Sequence, residues 1–377
     1  MRPLDDLRVL DFTTLLPGPF ATLILAEAGA EVIKIEPPGG DPVRHRAPRL
    51  GESSAYFAAL NRGKQSIEID LKQPGAAARL SPLIEGADVL VEQFRPGVMD
   101  RLGLGYDAVK ALKGDIVYCS ITGYGQDGPL AQVAGHDLNY AAATGLLSMT
   151  RGSDGAPTLP HTQIADIGAG SYPAIISIMV ALWRRARTGE GCRLDISMTD
   201  NLFPFLWYGL VQGHATGDWP EGGDTPVTGS SPRYQIYATK DGRYLSVGAR
   251  EQKFWDAFCD AIGLEAALRD DTRDPAATMA AVAARIAART ADHWRRRFAG
   301  KDVCAVVMAS LEEAVATAHV RLRAVFGYLV EDAGRTLPAL PVPLAPELRE
   351  PESRKGSPRL GEANALLGAP ARRSAAR

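Results

Sequence analysis

The sequence lacks an excess of either charge, closely spaced cysteines, and an unbroken apolar run of comfortable membrane-spanning length. Its formal net charge of −2 over 377 residues provides no broad basic surface for nucleic acid. The 4 cysteines form no Cys-x-x-Cys pair and have no histidine at metal-ligand spacing, which argues against a zinc site or a disulfide framework. We therefore expect a cytoplasmic protein without a bound metal and without nucleic-acid or membrane partners.

The first part of the chain alternates short apolar runs with helix patterns, which is typical of α/β folds. Strands are predicted at 7–12, 31–36, 66–70, 88–92 and 115–121, and helices at 17–29 and 75–86. The turn after the first strand has no Gly-x-Gly-x-x-Gly fingerprint, so we infer no nicotinamide cofactor. The pattern predicts a Rossmann-like large domain with a mainly parallel sheet.

The later part of the chain predicts a second, smaller α+β domain. An Asp-Gly pair at Asp241 and Gly242 separates two apolar strands, which is a hairpin signal. We place the large domain at 1–212, a linker at 213–232, the small domain at 233–325, and a segment returning to the large domain at 326–377. The uncharged run from Ile167 to Trp183 contains glycine and proline and predicts a buried helix.

Three loops of the large domain, at 37–41, 61–64 and 93–97, are rich in proline, glycine or basic residues. Ligands of open α/β sheets gather at the carboxyl ends of the strands, where arginine and lysine can hold phosphates. The alternative for each loop is a solvated turn. Three such loops together favour an anionic ligand.

Two segments carry candidate acid/base groups, His136 between Gly135 and Asp137, and Asp166 ahead of Gly168 and Gly170. A histidine and a carboxyl group are the two proton carriers needed to move a proton at one carbon. Each has a structural alternative, because single histidines often serve packing and an aspartate before a helix is often an N-cap. Context beyond the two residues is needed to choose.

Several further segments make the chain resemble the family III CoA-transferases, the CaiB/BaiF group, over nearly its whole length. They are 8–12, 17–21, 28–37, 61–64, 95–97, 122–125 and 358–362. Within that group, segments 135–140 and 166–171 resemble the α-methylacyl-CoA racemase branch. Racemases tend to have glycine where Ala165 stands and a third glycine after the aspartate, where this chain has Ala169. Both residues are small enough to allow close backbone approach.

The resemblance implies roles for individual residues. His136 and Asp166 match the two proton-transfer residues, and Glu251 matches a glutamate that pairs with the histidine. The structural alternative for Glu251 is a first-turn helix carboxylate stabilised by the helix dipole. Arg101 matches an arginine near the active site. The residues expected to contact CoA or substrate are Ile69, Asp70, Leu71, Lys72, Gln93, Phe94, Arg95, Pro96, Gly97, Arg101, Gly135, Asp137, Leu138, Asn139 and Tyr140.

The resemblance also implies an acyl-CoA substrate and an interlocked homodimer. It implies no permanently bound cofactor, since coenzyme A is part of the substrate. Racemisation at the α-carbon is the leading reaction, with a helix starting at Asp166 whose N–H groups would receive the enolate oxygen. The alternative is CoA transfer to a carboxylic acid through an acylated Asp166. A non-catalytic acyl-CoA-binding protein is disfavoured because all three acid/base positions are filled.

Overall fold

A six-stranded parallel sheet forms the centre of one of two units in the computed structural model, which describes residues 2–152, 154–349 and 354–370. Its strands are β1 (Arg8–Phe12), β2 (Glu31–Glu36), β3 (Gln65–Glu68), β4 (Val89–Glu92), β5 (Val117–Thr122) and β6 (Cys192–Ser197). The spatial order is β3-β2-β1-β4-β5-β6, and all five pairings are parallel. This confirms the predicted Rossmann-like sheet.

Helices cover both faces of this sheet and create two apolar cores. Val9 packs into one core and its neighbour Leu10 into the other, because successive side chains of a strand point to opposite faces. Both residues are fully buried. The helices of this unit are α1 (Pro17–Glu27), α2 (Ala55–Asn61), α3 (Ala76–Glu85), α4 (Val98–Arg101), α5 (Tyr106–Leu112), α6 (Asp137–Ala143) and α7 (Tyr172–Thr188), with 3₁₀ turns at Pro42–His45 and Asp200–Leu206.

The second unit comprises the described residues of Gly145–Leu159 and Leu206–Leu322. Its helices are α8 (Trp207–Thr216), α9 (Gln252–Ile262), α10 (Pro275–Ala287), α11 (Ala291–Phe298), α12 (Leu311–Val315) and α13 (Ala318–Leu322), with a 3₁₀ turn at Ala266–Leu268. Its strands are β7 (Tyr234–Ala238), β8 (Tyr244–Gly248) and β9 (Ala305–Val307). The pairing of β7 with β8 is antiparallel, and Gly242 between them has φ 73°, which confirms the Asp-Gly hairpin.

The first unit comprises the described residues of Met1–Thr144, Pro160–Phe205 and Arg323–Arg377. The last of these contains β10 (Leu329–Asp332), β11 (Arg335–Pro338) and β12 (Arg354–Gly356), with 3₁₀ turns at Pro346–Leu348 and Asn364–Gly368. Residues 145–159, which the sequence analysis assigned to the large domain, group with the second unit. Residues 213–216 of the predicted linker form the end of α8. The domain boundaries otherwise stay a prediction.

The apolar run predicted as a buried helix is buried on one face only. It begins as a π-helix over Ile164–Ser171 and continues as α7. Ile176, Val180 and Trp183 are 63%, 63% and 70% exposed. The prediction of a buried helix was therefore wrong for this face, because an apolar run does not reveal which of its sides meets the core. Ile164–Thr188 is also the one described stretch long and apolar enough, by length and composition alone, to cross a membrane.

Basic residues of the 61–64 loop are internal ion-pair partners, which overturns the hypothesis that they hold a ligand's phosphates. Arg62 lies 2.8 Å from Glu27, and Lys64 lies 3.0 Å from Asp11, with all four side chains almost completely buried. The Lys64 ammonium also donates to Asn61 Oδ1 and to two oxygens of α1. These charges join α1 and α2 to the sheet and are unavailable to a ligand.

Candidate active site

A cavity of about 420 Å³ opens at the carboxyl ends of the parallel strands, between the loops that follow β1 and β4. Successive strands are added on one side of β1 up to β3, and on its other side from β4 onwards. Open α/β sheets bind ligands where the strand order switches sides in this way, which here is between β1 and β4. The lining residues are Leu15, Pro17, Gln93, Phe94, Arg95, Pro96, Ile121, Thr122, Gly123, Tyr124, Ala131, Val133, Ala134, Gly135, His136, Asn139, Tyr140, Asp166 and Met198. Both candidate acid/base residues are among them.

His136 lies at the N-cap of α6, where its backbone is extended and its ring is exposed to the cavity. The backbone N–H of His136 donates to Asn139 Oδ1 at 3.0 Å. Tyr140 fixes the backbone just before His136, since its hydroxyl donates to the carbonyl of Gly135 at 2.5 Å. A Cβ at Gly135 would lie 2.6 Å from the Tyr140 ring, so only glycine fits there.

Asp166 lies in the π-helix, half-buried, with its side chain facing the same cavity. Burial, followed by the nearby negative charge of Asp137, raises the pKa of Asp166 from 3.8 to about 7. A carboxyl group with that pKa is present in both protonation states near neutral pH. It can therefore donate a proton or accept one.

The π-helix changes the predicted role of the backbone at Asp166. The N–H groups of Ala165 and Asp166 donate to one oxygen of Asp137, at 2.7 Å and 3.0 Å. The N–H of Ile167 donates to the carbonyl of Gln163 at 3.1 Å. These three donors are already paired, so the expectation that the helix start at Asp166 offers free N–H groups to an enolate was wrong for Asp166 and Ile167.

The structure brings together about half of the residues expected to contact CoA or substrate. Gln93, Phe94, Arg95, Pro96, Gly135, Asn139 and Tyr140 line the cavity with His136 and Asp166. Ile69 does not, because its side chain is buried in the apolar core. Lys72 is exposed beyond β3, at the edge of the sheet. Other expected residues outside the lining are Asp70, Leu71, Gly97, Arg101, Asp137 and Leu138. Their roles stay predictions.

The loop after β1 forms a wall of the cavity that no sequence prediction included. Leu15 has φ 64°, a left-handed conformation that a leucine rarely adopts. Neighbouring backbone is held on both sides, since Lys34 Nζ donates to the carbonyl of Thr13 at 2.6 Å and Gly18 N donates to Gln93 Oε1 at 3.1 Å. The rule that ligands bind at the carboxyl ends of strands applies to β1 as well and would have pointed to this loop.

Glu92, the last residue of β4, directly precedes the cavity-lining stretch Gln93–Pro96 without lining the cavity itself. Glu92 is 3% exposed, and burial raises its pKa to about 7. Its carboxyl group accepts the N–H of Phe94 at 2.8 Å. A carboxylate ending an otherwise apolar strand is the sequence signal for such a residue.

Glu251 lies in the second unit, where it is exposed at the N-cap of α9 and makes no side-chain capping hydrogen bond. Its predicted pairing with His136 stays a prediction. Within the described residues, no group of three or more histidine, cysteine or acidic side chains is arranged to hold a metal ion. All four cysteines are described and are free thiols.

Comparison with known proteins identifies the family. The sequence pattern of CoA-transferase family III matches residues 4–364. The chain belongs to CoA-transferase family III. This confirms the resemblance on which the site residues were chosen.

Relatives in this family carry two kinds of name. The chain is 34% identical to the acetyl-CoA:oxalate CoA-transferase of Acetobacter aceti, over 97% of this chain and 95% of that protein. It is also 34% identical to the alpha-methylacyl-CoA racemase of Mus musculus, over 95% of this chain and 91% of that protein. A CAIB/BAIF family protein from Brucella suis has a similar structure, with a TM-score of 0.82, 28% identity, and coverage of 97% of this chain and 98% of that one.

Proposed function

We propose that this family III protein is an acyl-CoA racemase or epimerase that moves the α-proton of a 2-methylacyl-CoA thioester. The observation that carries the proposal is that His136 and Asp166 line one cavity at the sheet's ligand-binding edge. The pKa of about 7 at Asp166 supports it, because inversion needs a proton carrier on each face of the carbon. A role in lipid metabolism follows from such a substrate.

The reaction runs in two proton transfers. Neutral His136 removes the α-proton from one epimer, and the electron pair of the C–H bond moves into the enolate of the thioester. Protonated Asp166 then delivers its proton to the opposite face of that carbon, leaving an aspartate anion and an imidazolium. For the other epimer the two residues exchange roles. Coenzyme A stays bonded throughout, so no permanently bound cofactor or metal is needed.

The test is to incubate one epimer of a 2-methylacyl-CoA with the protein in heavy water, without any acceptor acid. Racemisation is expected to incorporate deuterium at the α-carbon and to convert the substrate towards an equal mixture of epimers. An unchanged epimer without deuterium, recovered from active protein, would contradict the proposal.

The second candidate is CoA transfer between an acyl-CoA and a carboxylic acid, in which Asp166 is acylated. This candidate is supported by the name of the Acetobacter aceti relative, whose sequence matches 97% of this chain. In that reaction the aspartate must attack as an anion, and a pKa near 7 leaves about half of it protonated at neutral pH. Acyl transfer to added oxalate or succinate, without α-exchange, would select this candidate.

We further propose a cytoplasmic, interlocked homodimer with no nucleic-acid or membrane partner. The exposed apolar stripe of α7, formed by Ile176, Val180 and Trp183, supports a protein partner, because patches of this kind mark contact surfaces. The opposite face of α7 packs against the sheet with Ala174 and Ile178 fully buried. A helix anchored to a sheet on one side suits a subunit contact better than a membrane span.

Arg95 and Lys72 are predicted to bind the CoA part of the substrate. Replacing either by alanine is expected to raise the apparent KM for acyl-CoA by roughly tenfold with little change in kcat, because a uniform binding contact is lost. Steady-state kinetics measure this, with exposed Arg79→Ala on α3 as the control. Arg95 lines the cavity, so its effect is expected to be the larger. A lower kcat at unchanged KM would contradict the assignment.

Glu251 is predicted to accept a hydrogen bond from the His136 imidazole, fixing its tautomer and stabilising the imidazolium. Glu251→Gln is expected to lower kcat by roughly 10²-fold or more and to leave CoA binding unchanged. In an interlocked dimer the glutamate can come from the partner subunit. Co-refolding inactive His136→Ala chains with inactive Glu251→Gln chains is then expected to restore part of the activity, whereas either variant refolded alone stays inactive. Full activity in Glu251→Gln would remove this residue from the mechanism.

A further inference from the structure

One carboxylate joins the two segments that carry His136 and Asp166. Asp137, the first residue of α6, follows His136 directly in the chain. Its Oδ1 accepts the N–H of Ala165 at 2.7 Å and the N–H of Asp166 at 3.0 Å. Hydrogen bonds from backbone N–H groups to an ionised carboxylate are among the stronger ones in proteins. Two of them on one oxygen fix the start of the π-helix against α6.

We propose that Asp137 is a positioning residue for Asp166: its carboxylate holds the Asp166 backbone against α6 and keeps a negative charge near the Asp166 carboxyl group. This differs from the role given to Asp137 by the family resemblance, which was contact with CoA or substrate. Asp137 does not line the cavity, whereas His136 and Asp166 do. The inference rests on the proposed function, in which Asp166 donates a proton.

The charged groups around Asp166 show how Asp137 acts on the ionisation of the Asp166 carboxyl group. The titratable or charged groups around Asp166 lie on the cavity wall and on the elements packed against the π-helix. They are Arg95, Tyr124 and His136 on the wall, Glu27 on α1, Asp137 and Tyr140 on α6, Tyr172, Arg184, Arg185 and Arg187 on α7, and Cys192, Arg193 and Asp195 on β6. Of these, Asp137 is the one whose charge, added to burial, raises the pKa of Asp166. An anion held close to a carboxyl group disfavours a second negative charge.

The position of Asp137 also admits a simpler role. A carboxylate in the first turn of a helix is stabilised by the helix dipole, and it can contribute to stability without any part in catalysis. That role predicts a change in stability but no change in the ionisation of Asp166. The pH dependence of activity separates the two.

Asp137→Asn is the decisive variant, because the amide oxygen can still accept both N–H groups while the negative charge is removed. The limb of the kcat–pH profile that belongs to Asp166 is expected to move to lower pH by about one unit. The apparent KM for acyl-CoA is expected to stay within twofold of the wild type. Asp137→Ala, which also removes the acceptor, is expected to lower kcat by roughly 10²-fold, since misplacing a catalytic group by about 1 Å has an effect of that size.

Asp107→Asn is the matched control, because Asp107 is an exposed first-turn residue of α5, another seven-residue helix. It is expected to leave the pH profile unchanged. An Asp137→Asn variant with the wild-type profile would overturn the proposal, as would a rise in KM without any change in the profile.

An NMR titration of Asp166, which needs no turnover, keeps this test separate from the proposed function. The carboxyl carbon of Asp166, labelled with carbon-13 and assigned by its loss in Asp166→Asn, can be titrated by NMR in the full chain. Its pKa is expected to be lower in Asp137→Asn than in the wild type, and equal values would overturn the proposal. If heavy water gave no α-exchange, racemisation would fail while this titration still decided the role of Asp137.

Discussion

Asp166→Asn is expected to reduce turnover by roughly 10²–10⁴-fold, the usual range for removal of a general acid or base. Asparagine occupies the same space in the cavity wall but cannot carry the proton. Because Asp166 is also the predicted nucleophile of the alternative reaction, the loss is expected for either activity. The measurement is α-deuterium incorporation and CoA transfer, assayed side by side with wild-type protein.

Hydroxylamine separates the two reactions in the wild type. A transferase accumulates an acyl-aspartate anhydride, which hydroxylamine converts to an aspartyl hydroxamate, while a racemase forms no such anhydride. We expect no hydroxamate at Asp166 by mass spectrometry after incubation with a 2-methylacyl-CoA. Turnover at the wild-type level in Asp166→Asn would exclude Asp166 from both mechanisms.

The same variant is expected to be more stable than the wild type above neutral pH. Since the pKa of Asp166 is raised to about 7, the folded protein holds this proton more tightly than the unfolded chain does. The resulting stability is present at low pH and is lost as the pH rises through 7. Asp166→Asn has no such loss. The free energy of unfolding of the variant minus that of the wild type, measured in urea, is therefore expected to be larger at pH 8 than at pH 5 by roughly 2 kcal/mol. A pH-independent difference would contradict the raised pKa.

Lys64→Met is expected to destabilise the fold by roughly 3–5 kcal/mol, the usual effect of removing one partner from a buried ion pair. Lys64 donates to Asp11, Asn61 and two oxygens of α1 from a site with no solvent exposure of its side chain. Methionine has a similar length but satisfies none of these acceptors and leaves the buried Asp11 carboxylate without its closest cation. Urea unfolding at pH 7 measures the change.

The control for this prediction is Lys240→Met in the second unit, at an exposed position. Its effect is expected to stay within about 0.5 kcal/mol. For Lys64→Met, the apparent KM for acyl-CoA is expected to stay near the wild-type value at temperatures where the variant is folded. A stable Lys64→Met protein with a strongly raised KM would instead favour the ligand-binding role that the loop composition suggested.

The features that the sequence predicted best are those that depend only on residues close together in the chain. Strand β2 has the predicted bounds because Gly29, with φ 109°, ends the preceding helical segment and Pro37 has no N–H with which to continue the strand. Ser310 and Glu313 form a capping box that the Ser-x-x-Glu spacing indicates directly, since the two partners are only three residues apart. Such features depend on neighbours in the chain, which the sequence displays directly.

Other assignments depended on which side chain is buried. Arg62 and Arg95 both lie in short basic loops that contain a glycine, yet Arg62 pairs with Glu27 inside the unit and Arg95 lines the cavity. Ile178 and Val180 stand two residues apart in one apolar helix, with the first fully buried and the second 63% exposed. The two residues of each pair are of the same chemical kind, so only the packing of distant segments distinguishes them.

Periodic patterns and motifs in consecutive positions were enough to predict the α/β class, the parallel sheet, the family, and His136 and Asp166 as candidate acid/base residues. The folded structure was needed to show that Asp137 accepts a hydrogen bond from the Asp166 backbone and that the loop after β1 forms a wall of the cavity. These contacts join residues far apart in the chain, and their strength depends on burial and on a neighbouring charge. Burial and the distance to a neighbouring charge are defined only once the chain has folded.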